Sequence, residues 1–169
     1  SGLTASAIAM DKPLAKAVFE SAGLRTPEGK IVSRADLLTG DPLPRPYVIK
    51  PRNEGSSVGV RIVRNGDNIG LEEEKVWTFG ETALVERFIP GRELTVGLMG
   101  DRAMAVTELR PHSGFYDYTN KYTDGMTQHL CPAPLPKTIA EEAMAMALAA
   151  YRALGCRGVS RADLRYDDT

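Results

Sequence analysis

Hydrophobic positions recur at helical spacing in some segments of the chain and alternate with polar positions in others. Residues 12–22 carry an apolar stripe of helical period, with Asp11 placed to cap the helix and a glycine directly after it. Ser33 followed by Asp36 is a capping signal for a short second helix. The expected helices are residues 12–22, a short segment between Ser33 and Gly40, residues 71–77, and residues 138–154, where Thr138 and Glu141 form a capping box.

Strand-like segments with β-rich or alternating composition account for much of the remaining chain. The expected strands are residues 30–32, 47–51, 58–63, 83–89, 93–99, 103–109 and 159–166. Two of them are joined by RNEGSS and predict a hairpin, whereas the long connection 111–136 is typical of a functional loop. Pro90-Gly91 interrupts the pattern. We therefore expect an α+β fold of two lobes, residues 1–89 and 90–169.

Composition and charge narrow the possible function classes. The 169 residues include 21 Lys+Arg and 22 Asp+Glu, and the net charge of −1 disfavours a strongly basic nucleic-acid binder. No apolar run reaches the roughly 18 residues of a membrane span, and the first residues lack the pattern of a secretion signal. Cys131 and Cys156 have no CxxC spacing and are expected as reduced thiols. These features predict a cytoplasmic globular protein without nucleic-acid or membrane partners.

The segment VIKPRNEGSSVGV places Lys50 at the end of a strand, directly before a loop of glycines and serines. Glycines let a backbone approach an anion closely, and successive N–H groups can surround phosphate oxygens. Lys50 would add a positive charge against a phosphate. The loop matches neither a Walker A motif nor GxGxxG, so an ordinary hairpin turn with a surface lysine stays open as the alternative.

In the segment LVERFIPGRELTV, one strand runs into Pro90-Gly91 and a second strand then carries Glu93. Adenine is commonly bound by backbone groups of an extended linker, and ribose hydroxyls by a carboxylate. Strand alternation places Glu93, Thr95 and Gly97 on one face, where Glu93 is available to a ligand. The alternative is an exposed strand acid in a salt bridge.

The segment 111–130 crowds three tyrosines, Phe115, Lys121 and two histidines into one connection. Such a loop can close over a site, exclude water and deliver a cation to developing negative charge. A surface loop with aromatic anchors in the core is the alternative. His112 and His129 lack the spacing of zinc ligands.

The last strand, in GVSRADLRYDD, places Arg161, Asp163 and Arg165 on one face. A carboxylate there would bind Mg²⁺, and a guanidinium would stabilise transferred phosphoryl charge. One carboxylate does not complete a magnesium site, and an internal Arg–Asp pair is the alternative.

Taken in order, AMDK…AGL, VIKPRNEGSSVGV, LVERFIPGRELTV, GFYDYTNKY and SRADLRYDD resemble the D-alanine–D-alanine ligases of the ATP-grasp superfamily, across essentially the whole chain. The resemblance implies an ATP-grasp fold, with the nucleotide held between two α+β lobes. It also implies ATP-dependent ligation of two D-alanines through an acylphosphate, for peptidoglycan precursor synthesis. For the whole enzyme it implies a homodimer.

The resemblance further implies roles for individual residues. Residues 86–89 are implied as the adenine-binding linker, Glu93 as the ribose-binding acid, and Lys121 and Tyr122 as the pair of a mobile loop over the γ-phosphate. The residues implied to bind ATP are Lys12, Lys50, Ser56, Ser57, Glu86, Arg87, Phe88, Ile89, Glu93, Phe115 and Lys121. Those implied in catalysis are Ser56, Lys121, Tyr122 and Arg161, and Asp163 is implied as a ligand of Mg²⁺ or Mn²⁺.

The same resemblance sets limits and leaves alternatives. In the family, the first D-alanine site lies N-terminal to this segment, and the other magnesium ligands lie in a segment of the form LEVNTxPGMT, so we expect this portion alone to be inactive. A ligase joining D-alanine to D-lactate or D-serine is the nearest alternative, although the Lys121-Tyr122 pair favours D-alanine. Two further alternatives are another ATP-grasp carboxylate–amine ligase and a non-catalytic nucleotide-binding module.

Overall fold

Helices and antiparallel strands alternate along the chain. The structure, a computed structural model, describes residues 2–68, 77–111 and 127–167. The helices in these ranges are α1 (Leu3–Met10), α2 (Lys12–Ser21), α3 (Arg34–Thr39) and α4 (Lys137–Ala153). The strands are β1 (Gly29–Ser33), β2 (Tyr47–Pro51), β3 (Arg61–Val63), β4 (Thr82–Arg87), β5 (Arg92–Met99), β6 (Ala103–Pro111), β7 (Thr127–Leu130) and β8 (Val159–Tyr166).

The first sheet has the strand order β1-β4-β2-β3, and all its pairs are antiparallel. One face buries a core that includes Tyr47, Ile49 and Val85, together with Leu37 of α3 and Trp77. Removing these large side chains from water is the main driving force for folding this part of the chain.

The second sheet has the strand order β7-β6-β5-β8 and is also antiparallel throughout. Its core face carries Leu94, Val96 and Leu98 of β5, which pack against Ala147 and Tyr151 of α4. The alternation of buried and exposed residues along β5 is the period of two that the sequence predicts.

Each sheet turns its other face away from its own core, and the strand registers determine which residues lie there. In the first sheet, Lys50 is opposite Leu84 and Val48 is opposite Glu86, so Lys50 and Glu86 share the face opposite the core. In the second sheet, three cross-strand pairs of β5 and β8 lie on the face opposite the core, because directly paired residues point to the same side of a sheet. These pairs are Glu93 with Arg165, Thr95 with Asp163, and Gly97 with Arg161.

The segment between β4 and β5 connects the two sheets. Gly91 has a φ of 89°, and a side chain added there would come within 2.1 Å of the Tyr166 carbonyl oxygen. Only glycine therefore fits at this position, both for its backbone conformation and for the close approach of β8. The Arg165 guanidinium also donates to the carbonyl oxygens of Ile89 and Gly91, at 3.1 Å each.

Most of the expected elements are confirmed. The helix after Asp11 is present, and the Asp11 side chain accepts a hydrogen bond from the Leu14 amide at 3.1 Å. Ser33 caps α3 in the same way, by accepting from the Asp36 amide at 3.0 Å. The last strand, residues 159–166, has the expected bounds. Of the expected helix 71–77, residues 71–76 lie outside the described residues.

The structure differs from the expected elements in four places. Helix α1 is not predicted, because Leu3–Met10 is apolar almost throughout and has no amphipathic period. Strand β7 lies inside the segment expected as a loop, and β6 extends to its first residue. The expected strand 58–63 is shortened to β3, since Gly59 adopts a left-handed φ of 69°.

The fourth difference concerns the start of α4. The helix begins at Lys137, one residue before the expected capping box, and its N-cap is Pro136, with no side-chain capping bond. Proline has a restricted φ that suits a helix start, so it occupies the boundary in place of Thr138. The C-terminal end agrees better with expectation, because Gly155 has a φ of 67° just after the helix.

Two absences apply to the described residues. No helix in the ranges 2–68, 77–111 and 127–167 is long and apolar enough to cross a membrane. Both cysteines are free thiols, as expected: Cys131 is exposed and Cys156 is half-buried.

Candidate functional site

A cleft of about 560 Å³ lies between the two sheets. Ile62 of β3 and Phe88 of the connecting segment line one side, and Glu93, Leu109 and Arg165 of the second sheet line the other. Ile62 is opposite Val48 in the register and therefore shares its sheet face with Lys50 and Glu86. The side chains that line the cleft are thus apolar at Ile62 and Phe88 and form a charged pair at Glu93 and Arg165.

The loop between β2 and β3 is fastened at its start by Lys12 of α2. The Lys12 ammonium donates to the carbonyl oxygens of Pro51, at 2.9 Å, and of Glu54. Burial, together with the nearby charge of Lys50, lowers the pKa of Lys12. An ammonium that is desolvated beside another cation gains from a nearby anion, so the start of the β2–β3 loop favours negative ligands.

The same loop has an unusual backbone. Ser56 and Ser57 have φ values of 50° and 59°, a region that non-glycine residues seldom occupy. At Gly59 an added Cβ atom would lie 2.4 Å from the Phe79 ring, so only glycine fits at this position. Strained backbone of this kind is frequent in ligand-binding loops.

Lys50 is held by a buried carboxylate. Glu86 is only 4% exposed, and its two oxygens face two lysines: Lys16 is 3.0 Å from one, and Lys50 hydrogen-bonds the other. Burial opposes ionisation of Glu86, but the charge of Lys50 and the hydrogen bonds from both lysines outweigh it and lower the pKa of this carboxyl. Glu86 is therefore a charged group that fixes the position of Lys50.

Glu93 lies in the cleft wall beside Arg165, with 3.5 Å between carboxylate and guanidinium. Arg165 also lies 5.9 Å from the centre of the Phe88 ring, within the range of a cation–π contact. Burial lowers the pKa of Arg165, an effect that the charge of Glu93 opposes. The salt bridge that the sequence leaves open for Glu93 is thus present, and it orients the carboxylate at the cleft.

Arg161 and Asp163 form a second pair farther along the same face. Two guanidinium nitrogens approach the Asp163 carboxylate, at 2.9 and 3.0 Å, and the Thr95 hydroxyl donates to it at 2.8 Å. Both side chains are exposed, 60% for Arg161 and 47% for Asp163. The internal Arg–Asp pair that the sequence leaves open is therefore present too.

The donor set fits a divalent cation only in part. The Asp163 carboxylate is a suitable oxygen ligand, and Mg²⁺ prefers such ligands in octahedral geometry. Within residues 2–68, 77–111 and 127–167, however, no group of three His, Cys, Asp or Glu side chains could hold a metal ion. Asp163 can therefore supply one ligand of an incomplete set.

The structure brings together most of the candidate residues that it describes, but in two groups. Lys12, Lys50 and Glu86 cluster beside the β2–β3 loop with Ser56 and Ser57, whereas Glu93, Arg161 and Asp163 share a face of the second sheet. The amides of Arg87 and Phe88 donate to the carbonyl oxygens of Glu28 and Pro46, so part of the expected adenine linker is engaged in the fold. The candidates outside the described residues are Phe115, Lys121 and Tyr122, with most of the expected loop 111–130.

Two residues of the site have no role in the sequence-based prediction. Lys16 contacts Glu86, and Arg165 contacts both Glu93 and the connecting segment. A signal for Lys16 was present, because it follows Lys12 by four residues in a predicted helix and therefore shares its face.

Comparison with known proteins identifies the family. The family model for the D-ala D-ala ligase C-terminus matches residues 19–169. A D-alanine–D-alanine ligase from Granulibacter bethesdensis is 55% identical over 169 residues, which are 100% of this chain and 55% of that protein. The chain thus spans about half the length of this curated relative.

Solved structures of similar proteins have the same fold. The VanG D-Ala:D-Ser ligase from Enterococcus faecalis matches with a TM-score of 0.78 at 30% identity, covering 98% of this chain and 50% of that one. The D-alanine–D-alanine ligase from Bacillus anthracis complexed with ATP matches with a TM-score of 0.73 at 28% identity, covering 99% and 55%. These matches confirm the α+β ATP-grasp fold that the resemblance implies. The chain belongs to the D-ala D-ala ligase C-terminus family.

Proposed function

We propose that the cleft between the two sheets binds ATP, and that the protein containing this chain uses it to join two D-alanines into D-alanyl-D-alanine. The observation that carries this proposal is the arrangement of charge around the cleft. Lys50 of the first sheet and Lys12 of α2 lie at the β2–β3 loop, and a carboxylate of the second sheet lies beside the connecting segment. A nucleotide has the complementary arrangement, with an anionic end and a hydroxyl-bearing end.

The phosphate end of ATP lies at Lys50 and Lys12 in this proposal. Lys50 has a half-buried ammonium beside the loop that contains Ser56 and Ser57, and Lys12 fastens that loop. A charge-assisted hydrogen bond from Lys50 to a phosphate oxygen contributes roughly 1.5–3 kcal/mol. The B. anthracis relative has been solved in complex with ATP, which supports the assignment of this ligand.

The adenosine end lies against the connecting segment. Phe88 and Ile62 offer apolar surface for the base in the cleft wall. Glu93, oriented by Arg165, is placed to accept hydrogen bonds from the ribose hydroxyls. Of residues 86–89, Phe88 lines the cleft, whereas the Glu86 side chain is bound by two lysines and the amides of Arg87 and Phe88 are bonded within the fold.

The chemical step follows the electrostatics of the cleft. An oxygen of the first D-alanine carboxylate attacks the γ-phosphorus, ADP leaves, and an acylphosphate forms. The amine of the second D-alanine then attacks the acyl carbon, phosphate leaves, and the amine loses a proton. Arg161 is exposed on the cleft face, where its guanidinium stabilises the charge that builds up on the transferred phosphoryl group.

A divalent cation accompanies ATP in this proposal, as Mg²⁺ or Mn²⁺. It would neutralise phosphate charge, and Asp163 would be one of its ligands. The complete set of ligands requires groups outside the described residues. We also propose that residues 111–130, which include Phe115, Lys121 and Tyr122, close over the phosphates together with Ser56 of the β2–β3 loop. The whole enzyme is, in this proposal, a cytoplasmic homodimer that serves peptidoglycan synthesis.

The second amino acid substrate is D-alanine in this proposal, and D-serine is the alternative. The VanG D-Ala:D-Ser ligase matches this chain with a TM-score of 0.78, so the fold alone does not separate D-alanine from D-serine. The G. bethesdensis relative, at 55% identity, is named a D-alanine–D-alanine ligase and favours D-alanine. Competition between the two amino acids, with the dipeptide products resolved by mass spectrometry, tests this choice.

The ATP site is tested by Lys50→Ala in the full-length protein. We expect the dissociation constant for ATP to rise about ten- to a hundredfold, because one charge-assisted hydrogen bond is lost. Isothermal titration measures it, and Lys30→Ala, an exposed lysine of β1, is the matched control. An unchanged ATP affinity in Lys50→Ala would contradict the assignment, and a wild-type protein that does not bind ATP would contradict the proposed function.

A further inference from the structure

We infer that Lys16 is a positioning residue for ATP binding, which acts on Lys50 through the buried carboxylate of Glu86. This inference rests on the proposed function, because it assigns Lys50 to a phosphate of ATP. The observation that carries it is the chain of contacts from Lys16 to one oxygen of Glu86 and from the other oxygen to Lys50.

Lys16 and Lys12 project from the same face of α2, one helical turn apart. Lys12 reaches the backbone of the β2–β3 loop, whereas Lys16 reaches the side chain that holds Lys50. A single helix therefore positions both parts of the proposed phosphate site. Lys50 is the most exposed of the three side chains, at 29%, compared with 6% for Glu86 and 14% for Lys16.

The hydrogen-bond donors of the two lysines that flank Glu86 are used differently. An ammonium has three N–H groups. Those of Lys16 have three acceptors: Glu86, the Thr26 hydroxyl at 3.0 Å, and the Pro27 carbonyl oxygen. Within the described part of the chain, Lys50 has one acceptor, Glu86. Lys16 is therefore an anchor, and Lys50 keeps donors for a ligand.

Removal of Lys16 would change what Glu86 does to Lys50. A buried carboxylate that loses one of two cationic partners draws the remaining one more strongly, because its charge is otherwise uncompensated. Lys50 would then be drawn toward both oxygens of Glu86 and away from the phosphate. The expected consequence is weaker ATP binding, without the loss of any group that touches ATP.

The experiment measures ATP binding to the full-length protein by isothermal titration for wild type, Lys16→Met, Lys50→Met and the double variant. We expect Lys16→Met to raise the ATP dissociation constant about tenfold. In the Lys50→Met background the same substitution should change it less than about twofold, because the group through which Lys16 acts is missing. Steady-state kinetics should show a raised KM for ATP with a nearly unchanged kcat.

Lys137→Met is the matched control. Lys137, like Lys16, has a glutamate four residues later on its helix, at 3.8 Å compared with 3.9 Å for Lys16 and Glu20. It lies on the exposed start of α4, and its replacement should leave ATP affinity unchanged. Thermal unfolding of each variant separates a local effect from loss of the fold. If Lys16→Met does not fold, Lys16→Gln retains donors for Thr26 and Pro27 and replaces it.

Two results would overturn the inference while leaving the proposed function intact. In the first, wild type binds ATP, Lys50→Met weakens binding, and Lys16→Met behaves like Lys137→Met. In the second, the effects of Lys16→Met and Lys50→Met add fully in the double variant, which would mean that Lys16 acts independently of Lys50. If wild type itself fails to bind ATP, the proposed function fails and the inference fails with it.

Discussion

The two sheets that flank the cleft as its walls hold their charges in different ways. On the first sheet, one carboxylate that is 4% exposed is bound by two lysines from separate elements, α2 and β2. On the second sheet, Arg161 and Asp163 are neighbours on one strand, and both are largely exposed to solvent. One wall is a buried ion cluster, and the other carries a surface ion pair.

This difference indicates different roles in the proposed reaction. Charges that are buried and paired are costly to rearrange, so they suit a group that must be in place before ATP arrives. An exposed ion pair contributes little to stability and separates easily, so it suits groups that exchange partners when a ligand binds. The first wall is therefore the pre-organised one, and the second wall is the one that adapts.

The strongest test of this contrast is the replacement of Glu86 by alanine. We expect the free energy of unfolding to fall by about 3–5 kcal/mol, because Lys16 and Lys50 would be left without their shared carboxylate in a buried place. Urea denaturation followed by circular dichroism measures the loss. A decrease below about 1 kcal/mol would show that this cluster is no more important to stability than a surface pair.

Replacement of Arg161 by alanine tests the adaptable wall through catalysis. In the full-length enzyme we expect kcat to fall about a hundred- to a thousandfold, while the KM for ATP changes little, because the guanidinium acts mainly in the transition state. Phosphate release in the presence of D-alanine gives both constants. Normal turnover in the variant would leave Arg161 with a purely structural role.

The stability that Glu86 contributes should depend on pH. The folded-state pKa of Glu86 is lowered, so its stabilising contribution is complete above the ordinary pKa of glutamate and is lost as the pH falls through the lower folded value. Glu86→Gln should therefore lose less stability on acidification than wild type. Glu141→Gln, which removes an exposed partner of Lys137, is the control. Equal acid sensitivity of Glu86→Gln and wild type would contradict the role given to Glu86.

The smallest effect on stability is expected for Asp163→Ala. Its ion pair with Arg161 is exposed, so the free energy of unfolding should change by less than about 1 kcal/mol. Its activity should nevertheless fall if Asp163 holds a divalent cation, and titration with Mn²⁺ gives a second measurement. A large loss of stability would show that Asp163 and Thr95 support the second sheet instead.

Local patterns in the sequence determined much of the fold. Caps at Asp11 and Ser33 and alternation along β5 act within a few residues, so they can be identified without knowledge of distant contacts. The same holds for Lys50, which directly precedes the Gly-Ser loop, and for Arg161 and Asp163, which share a strand face because they are two residues apart. Helix α1 had no such signal, since its residues are apolar on all sides.

Only the tertiary structure decided which charges meet. The resemblance implies that Glu86 belongs to a linker, yet strand pairing and helix packing place it beside Lys50 and Lys16, which are 36 and 70 positions earlier in the chain. Glu93 and Arg165 meet in the same way, across 72 positions. Such partners are set by sheet register and helix packing, which depend on the whole core and not on neighbouring residues. The sequence by itself supplied the charged groups, and the packing of α2 and β8 against other elements determined their partners.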